Sequence, residues 1–243
     1  MTISIYHDDC INGMKQLPDN SIDMVLTDPP YGTTRNKWDV TVNMDSWWKE
    51  VKRIAKPHAA ILMFSQMPFS AYIVMSNPKM FRYEWIYKKT GVTGFLNAHR
   101  MPLKCHENVL VFYDKLPIYN PQMIQGKAHG IGGCTGTSNY GSFIPNPTKL
   151  SSSYFPRDVI EFKSRVGKSL HPTQKPMGLC EYFIKTYSNE NDTVLDTFMG
   201  SGTTGVAARN THRSFVGYDI DDNFFKISED RLKVKHNVRN GNM

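Results

Sequence analysis

The sequence predicts an α/β protein with a doubly wound, mostly parallel sheet. Short apolar segments alternate with helical ones over residues 1–113, and the same alternation returns over residues 177–233. Strands that are separated by helices pair in parallel, and the helices then cover both faces of the sheet. Residues 117–170 are instead rich in Pro, Gly, Ser, Asn and Thr with little periodicity, which predicts an irregular insertion. A chain of 243 residues is long enough for one sizeable core, with one domain as the default.

The individual elements follow from apolar periodicity and from the residues that flank each segment. Asn43 is a suitable N-cap for a helix that begins at Met44, and the turn formers Pro18 to Ser21 precede the second strand. We predict strands over residues 3–6, 22–27, 58–64, 81–87, 107–113, 193–196 and 214–218. We predict helices over residues 11–17, 44–55, 69–76, 177–187, 204–210 and 222–233.

The charge of the chain is unevenly distributed. The net charge is +7, and residues 82–175 hold thirteen Lys and Arg against five acids, whereas the rest holds 16 basic and 17 acidic residues. All of the excess positive charge therefore lies in the middle of the chain, as expected of a surface that faces a polyanion. A solvated basic surface without a partner is the alternative that composition leaves open.

Composition also narrows the class of protein. No apolar run approaches the roughly 20 residues that a bilayer span needs, and polar residues follow the N-terminus too soon for a signal peptide. These features predict an intracellular, cytoplasmic protein with no membrane partner. The four cysteines show no C-x-x-C spacing and the eight histidines no H-E-x-x-H spacing, so we expect reduced thiols and no metal.

A glycine-rich loop follows the strand predicted at residues 193–196. Residues 200–205, Gly-Ser-Gly-Thr-Thr-Gly, match G-x-G-x-x-G between a strand and a helix, and Asp219 ends the next strand. Such glycines let a backbone approach a ligand closely, and the acid can accept hydrogen bonds from ribose hydroxyls. Only 38 residues follow Gly205, too few for the second half of a dinucleotide fold such as that of a dehydrogenase. The loop therefore predicts a mononucleoside-sized cofactor in a permuted sheet, with a ligand-free packing loop as the alternative.

A second loop with chemically useful residues follows the strand predicted at residues 22–27. Residues 28–31, Asp-Pro-Pro-Tyr, offer a carboxylate, two prolines of fixed φ and an aromatic ring. The carboxylate and a proline carbonyl can accept hydrogen bonds from an exocyclic amino group, and Tyr31 can stack on the ring that carries it. Ligands of an open α/β sheet bind outside the carboxyl ends of its strands, so parallel neighbouring strands would bring both loops into one crevice. An ordinary turn is the alternative.

The order of the motifs along the chain resembles a known family, the β-class DNA amino-methyltransferases that use S-adenosylmethionine. The matching segments are Asp9-Cys10 with Leu17 to Asp23, then Asp28 to Tyr31, His171 to Pro176, and Phe198 to Thr204. They span nearly the whole chain apart from its middle, and the ordered set is far more specific than any one segment. The resemblance implies a Rossmann-like methyltransferase sheet in permuted order, with a target-recognition insertion.

The resemblance also implies roles for individual residues. Asp28, Pro29, Pro30 and Tyr31 would be catalytic, with Asp28 and Pro29 holding the target amino group and Tyr31 stacked on a flipped-out base. Asp219 would bind the ribose of S-adenosylmethionine, Asp9 would lie near its adenine, and residues 171–176 would close over its methionine end. The full set of expected cofactor-binding residues is Asp9, His171, Thr173, Gln174, Lys175, Asp196, Phe198, Met199, Gly200, Ser201, Gly202, Thr203, Thr204 and Asp219.

The resemblance divides the chain into three regions. Residues 1–87 would form the catalytic half of the methyltransferase domain, residues 88–168 the target-recognition region with a sheet strand near 107–113, and residues 169–243 the cofactor-binding half. DNA is then the polyanion that the basic middle faces. The residues expected to contact DNA are Arg35, Lys37, Lys88, Arg100, Lys104, Lys127, Arg157 and Arg165.

Several substrates and partners remain to be distinguished. An aspartate at position 28 is the usual form in adenine-N6 enzymes, whereas serine there is commoner in cytosine-N4 ones, so we expect N6-adenine methylation with cytosine-N4 as the alternative. In RNA base methyltransferases the glycine loop usually precedes Asp-Pro-Pro-Tyr, which disfavours that class. A nucleic-acid-binding module without activity would need neither loop. The resemblance is compatible with a homodimer or a monomer, and with a cognate restriction endonuclease.

Overall fold

The computed structural model describes residues 1–32, 42–131, 149–163 and 174–233. Its ten strands are β1 (Ile3–His7), β2 (Ile22–Thr27), β3 (Ala55–Ser65), β4 (Phe81–Thr93), β5 (Lys104–Phe112), β6 (Ile124–Ile131), β7 (Lys149–Tyr154), β8 (Val159–Phe162), β9 (Thr193–Asp196) and β10 (Ser214–Asp219). Its six α-helices are α1 (Cys10–Met14), α2 (Met44–Ile54), α3 (Phe69–Ser76), α4 (Met177–Tyr187), α5 (Thr203–Asn210) and α6 (Asp222–Leu232).

Eight strands form one mixed sheet, in the order β1-β10-β9-β2-β3-β5-β4-β8. The pairings β1 with β10, β10 with β9, β9 with β2, β2 with β3, and β4 with β8 are parallel, and β5 runs antiparallel to both of its neighbours. The two ends of the chain meet inside this sheet, because Ile3 of β1 lies opposite Phe215 of β10. The predicted α/β class, mostly parallel sheet and permuted order are therefore confirmed.

Helices cover both faces of the sheet and bury a separate apolar cluster on each face. One cluster contains side chains of α1, α2 and α3, including the completely buried Trp47 and the buried Phe69. The other contains side chains of α4, α5 and α6, including Phe183 and Phe225. Two covered faces explain why the central strands β2, β3 and β9 read as nearly continuous apolar runs rather than as alternating ones.

Most predicted elements match the observed ones within a few residues. The side chain of Asn43 accepts a hydrogen bond from the Ser46 backbone amide at 3.0 Å, so the predicted N-cap of α2 is confirmed. The larger differences lie in the middle of the chain. β4 continues to Thr93 and pairs with β5, which begins at Lys104, so the two strands form a long hairpin. Residues 117–170 were expected to be irregular, yet their described part contains β6, β7 and β8.

Residues 121–157 form a compact unit of their own. Within it β6 and β7 pair in antiparallel fashion, and the rings of His129 and Tyr154 stack with centroids 4.0 Å apart. The other unit comprises residues 1–120 and 158–243, so β8 belongs to the main sheet, where it pairs with β4. The functional division at residues 88 and 168 stays a prediction. In the described ranges no helix combines the length and apolar character needed to cross a bilayer.

Candidate active site

The two motif loops leave the sheet side by side. β2 and β9 are parallel neighbours, with Val25 opposite Leu195, so the residues after both strands lie at the same carboxyl edge. Buried hydrogen bonds join the two strand ends directly. The Thr27 hydroxyl donates to Asp196 Oδ1 at 2.8 Å and lies 3.0 Å from the Thr197 hydroxyl, which also accepts from the indole of Trp47 at 3.1 Å. The predicted crevice therefore exists, and these bonds fix the spacing between its walls.

Asp28 is held by two neighbours on opposite oxygens. The Tyr31 hydroxyl donates to Oδ1 at 2.9 Å, and the Lys175 ammonium makes an ion pair and short hydrogen bond with Oδ2. The Tyr31 ring stacks on Phe69, with centroids 4.9 Å apart and an interplanar angle of 26°. Phe69 is the first residue of α3, so this helix supports the Tyr31 ring. The Tyr31 hydroxyl in turn orients the Asp28 carboxylate.

Lys175 links Asp28 to Glu107 near the start of β5. Its Nζ lies 3.5 Å from Glu107 Oε2 and 4.9 Å from the centroid of the Phe64 ring, and Glu107 is paired in turn with Lys89 of β4. Burial opposes the charge on Lys175, but the carboxylates of Asp28 and Glu107 outweigh it and raise the pKa of the lysine. Burial likewise opposes the charge on Glu107, yet Lys175 and Lys89 hold its pKa below the usual value. The four side chains form one charge-balanced cluster.

The glycine loop is fixed to β10 and α6. The Gly200 amide donates to Asp219 Oδ2 at 2.8 Å, while Asp219 Oδ1 accepts from the Asp221 amide at 2.9 Å. Gly202 has a left-handed φ of 76°, and a Cβ at this position would lie 3.0 Å from Ser228 of α6. The Arg231 guanidinium donates to the Ser201 carbonyl at 2.5 Å. Contacts with α6 therefore hold the backbone of this loop in place.

Asp196 is a buried carboxylate between the two loops. Its Oδ1 accepts from the Thr27 hydroxyl and from the Phe198 amide at 3.1 Å. Burial raises the pKa of Asp196 to about 6, against the hydrogen bonds that favour its charged form. Through these two hydrogen bonds Asp196 holds the loop after β9 against the end of β2.

One cavity of about 500 Å³ lies over this carboxyl edge. All four predicted catalytic residues line it, and so do most of the predicted cofactor-binding ones. The latter are Asp9, Gln174, Lys175, Asp196, Phe198, Met199, Gly200, Ser201, Thr203, Thr204 and Asp219. Gly202 does not line the cavity, because it faces α6 instead. His171 and Thr173 lie outside the described residues.

Other residues that line the cavity were not among the predicted site residues, although Cys10 belongs to the Asp9-Cys10 motif segment. They include Asp8, Cys10, Ile11, Val42, Asn43, Phe64, Glu107, Thr197, Ile220, Asp221 and Phe224. Asp8 follows the end of β1 by one residue and Asp221 follows the end of β10 by two. This position after a strand is the only sequence feature that could have identified them as site residues. Glu107 carries no such signal, because it stands inside β5. Burial raises the pKa of the Cys10 thiol to about 12, so this cysteine is a neutral wall of the cavity rather than a nucleophile.

Of the described residues predicted to contact DNA, Lys88, Arg100 and Lys104 of the main unit do not line this cavity. Arg100 and Lys104 are exposed in the β4–β5 hairpin, and Lys88 at its base makes an exposed ion pair with Glu161 at 2.7 Å. Lys127 and Arg157 belong to the unit of residues 121–157. Three further predicted contacts, Arg35, Lys37 and Arg165, lie outside the described residues. Among the residues that the structure describes, no group of His, Cys, Asp and Glu could hold a metal ion.

Comparison with known proteins places this geometry in a family. A family model described as DNA methylase matches residues 22–230. Type II methyltransferase M.HpaI of Haemophilus parainfluenzae is 30% identical over 93% of this chain and 73% of its own. DNA adenine methyltransferase YhdJ of Escherichia coli (strain K12) is 28% identical over 95% of this chain and 83% of its own.

Solved structures agree with the sequence relatives. The crystal structure of the M1.HpyAVI-SAM complex superimposes with a TM-score of 0.67 at 27% identity, covering 96% of this chain and all of the other. The cytosine-N4-specific PvuII DNA methyltransferase has a TM-score of 0.69 at 16% identity, covering 98% and 89%, which shows a shared fold. The resemblance carried by the motif order is thereby confirmed, and the chain belongs to the N6/N4 DNA methylase family.

Proposed function

We propose that this DNA methylase transfers the methyl group of S-adenosylmethionine to the N6 amino group of adenine, by direct attack of a flipped-out base. The observation that carries the proposal is that Asp28 and the loop after Asp196 line a single cavity. A carboxylate that can grip an amino group therefore stands next to a loop that can grip a nucleoside. The relative named a DNA adenine methyltransferase and the aspartate at position 28 both support adenine.

The residues of the cavity suit S-adenosylmethionine. Asp219 and Asp9 present carboxylates, and the ribose hydroxyls and adenine amino group of the cofactor are donors that carboxylates accept. Ser201 and Thr203 supply hydroxyls on the glycine loop for its methionine end. The volume of about 500 Å³ is that of an ordinary small-molecule site. When bound, the cofactor supplies a methyl group on a positively charged sulfur.

The residues around Asp28 suit an amino-bearing base. A carboxylate has about four lone-pair directions, so Asp28 can accept from the amino group while it keeps its bonds to Tyr31 and Lys175. The Tyr31 hydroxyl is hydrogen-bonded to Asp28, and the Tyr31 ring stacks on Phe69. These two contacts fix the plane of the Tyr31 ring, on which a base can stack. Positioning of the amino group supplies much of the rate, and no protein nucleophile is required.

A base inside a duplex cannot reach this cavity. The enzyme must extrude the target nucleotide, at a cost of a few kcal/mol that stacking and contacts to the Watson-Crick edge offset. Because the product differs from the substrate by one methyl group on one nitrogen, identification of the modified nucleoside identifies the reaction.

The proposal is tested with S-adenosylmethionine that carries a labelled methyl group and with unmethylated genomic DNA. After incubation the DNA is digested to nucleosides and the labelled nucleoside is identified. We expect N6-methyldeoxyadenosine. Label on N4 of cytosine would overturn the choice of base, and label on RNA alone would overturn the substrate class.

We infer the cellular setting from the relatives and the composition. M.HpaI and M.HinfI are named Type II methyltransferases, which supports a role beside a cognate restriction endonuclease. Protection of DNA methylated by this protein against restriction enzymes of known specificity tests that role. We keep a cytoplasmic location and a homodimer as proposals, and sedimentation equilibrium with and without DNA measures the oligomeric state.

A further inference from the structure

The β4–β5 hairpin, residues 88–106, is chemically unlike the rest of the molecule, and we call it the cationic hairpin. From Trp85 to His106 the chain contains no Asp or Glu, while it contains Lys88, Lys89, Arg100 and Lys104. Every residue from 90 to 102 is exposed. In the described part of the chain no carboxylate lies within ion-pair distance of Arg100 or Lys104. The hairpin therefore presents positive charge to solvent.

The tip of the cationic hairpin also exposes large apolar side chains. Phe95 is 67% exposed and Leu96 is completely exposed, and Val92 and Met101 nearby are 41% and 50% exposed. A single exposed apolar residue on a protein surface needs no explanation, but four within ten residues of one hairpin mark a binding surface. An apolar tip on a cationic stem matches the chemistry of a nucleic acid, which has an anionic backbone and an apolar base stack.

The sheet topology places this hairpin at the same edge of the sheet as the cavity. β4 runs in the same direction as β3, because both are antiparallel to β5. The end of β4 and the start of β5 therefore leave the sheet at the carboxyl edge, where Asp28 and the glycine loop also lie. Glu107 lines the cavity, and Lys104 stands three residues away along the same strand, about 10 Å at the usual rise of a strand.

We propose that the cationic hairpin is a wedge that inserts Phe95 and Leu96 between base pairs beside the target nucleotide and so helps to extrude it. Proteins that open or kink duplex DNA insert Phe, Leu, Ile or Met between base steps, while Lys and Arg bind the phosphates on either side. Arg100 and Lys104 are placed for the second task and the exposed tip for the first. The occupant of this surface is duplex DNA. The inference rests on the proposed action on a flipped-out base.

The test compares two substrates that differ only in how easily the target base leaves the helix. One is a duplex with a normal pair at the target, and the other has an abasic site opposite the target, in the recognition sequence that mapping of methylated genomic DNA provides. The variant is Phe95→Ala/Leu96→Ala, with Leu96→Ala alone as a second variant. We expect kcat/KM to fall about tenfold on the paired duplex and less than about threefold on the pre-opened one.

Matched controls separate a wedge from other roles of the hairpin. Leu116 is also an exposed leucine, 76% exposed, and it follows β5 at the opposite edge of the sheet, so Leu116→Ala should leave both rates unchanged. Arg100→Gln should weaken binding to both substrates equally and reduce the salt dependence of affinity. Calorimetry of S-adenosylmethionine binding should give the wild-type affinity for all four variants, since their side chains are exposed.

A direct readout of extrusion completes the experiment. With 2-aminopurine at the target position, the wild type should raise its fluorescence on the paired duplex, and Phe95→Ala/Leu96→Ala should raise it less. Equal losses on both substrates, or no loss on either, would overturn the wedge. A change in oligomeric state with an unchanged ratio between the substrates would overturn it in favour of a second copy of the chain. Failure of the wild type to methylate either substrate would instead overturn the proposed function.

Discussion

The cavity and the cationic hairpin share one edge of the sheet and differ in almost every physical respect. The cavity contains Asp28, Asp196 and Asp219, each with at least two described hydrogen-bond donors, whereas the hairpin contains no carboxylate. Most residues around the cavity are buried or half-buried, and those at the hairpin tip are exposed. Positions that must hold a reacting atom are fixed by buried polar contacts, and a surface that must accept a long polyanion is left open and positive.

The two regions meet at a single cluster. Glu107 belongs to β5 and directly follows the cationic hairpin, and Lys175 bridges it to Asp28. Lys89 of β4 is the other cation of the cluster. A displacement of the hairpin by DNA would therefore act on Glu107 and Lys89 first, and on Asp28 through Lys175. The contrast between the two regions can be tested at Asp28, at the junction residue Lys175 and at the buried Asp196.

The largest effect is expected at Asp28, the carboxylate proposed to be catalytic. Asp28→Asn keeps the shape of the side chain but removes the charge that pairs with Lys175 and that is proposed to bind the amino group. We expect kcat to fall about a thousandfold, as for the loss of one preorganised polar group that stabilises a transition state. The affinity for S-adenosylmethionine, measured by calorimetry, should stay near the wild-type value.

The control for that variant is Asp45→Asn. Asp45 is exposed in the first turn of α2, and its substitution changes net charge by the same amount. It should leave kcat within about twofold of the wild type, since exposed substitutions away from a site have small effects. Near wild-type methylation by Asp28→Asn would remove Asp28 from the mechanism.

The outline of the active site was predictable because its signals are local. Asp28 and Gly200 each follow an apolar strand, and the position of Gly200 near the end of the chain required a permuted sheet. Parallel neighbours then placed both loops at one edge, as the pairing of β2 with β9 confirms.

The remaining features depend on contacts between distant segments. The contact between the Lys175 ammonium and Asp28 joins residues 147 positions apart in sequence, and the predicted cofactor role of Lys175 stays a prediction. Glu107 reaches the cavity because β5 is inserted between β3 and β4, an order that no local pattern encodes. β8 escaped prediction because it is four residues long and lies in a segment rich in turn formers, and its pairing with β4 stabilises it.

A second prediction concerns the junction between the cavity and the hairpin. Lys175→Met removes the shared cation from the half-buried carboxylates of Asp28 and Glu107. We expect the free energy of unfolding to fall by about 4 kcal/mol at pH 8, the typical cost of breaking a buried ion pair. Urea denaturation measures it.

The pH dependence of this loss has a definite sign. In the wild type the pKa of Glu107 is lower in the folded state than in the unfolded state. The charged Glu107 therefore stabilises the fold at pH values above its ordinary pKa, and this stabilisation is lost as the pH falls through the folded pKa. Without Lys175 that pKa rises, so Lys175→Met should be penalised more at pH 8 than at pH 5, where protonation relieves the repulsion. Lys175→Met/Glu107→Gln should recover part of the loss. The control is Lys88→Met, because an exposed ion pair such as that of Lys88 with Glu161 contributes little to stability. Equal losses in Lys175→Met and Lys88→Met would refute a buried junction.

The smallest effect is expected at Asp196, the buried support of the two loops. Its folded pKa of about 6 lies above the ordinary value of 3.8, so the folded state binds more protons between pH 4 and 6. The contribution of this group to stability therefore falls as the pH rises through that window, by at most about 3 kcal/mol.

Asp196→Asn keeps an oxygen that can accept hydrogen bonds from Thr27 and Phe198, and it removes the titratable group. Urea denaturation at several pH values should show Asp196→Asn gaining stability relative to the wild type from pH 4 to 7, whereas Asp45→Asn should show no such trend. A constant difference across that range would mean that Asp196 is already ionised at low pH and that its hydrogen bonds outweigh its burial.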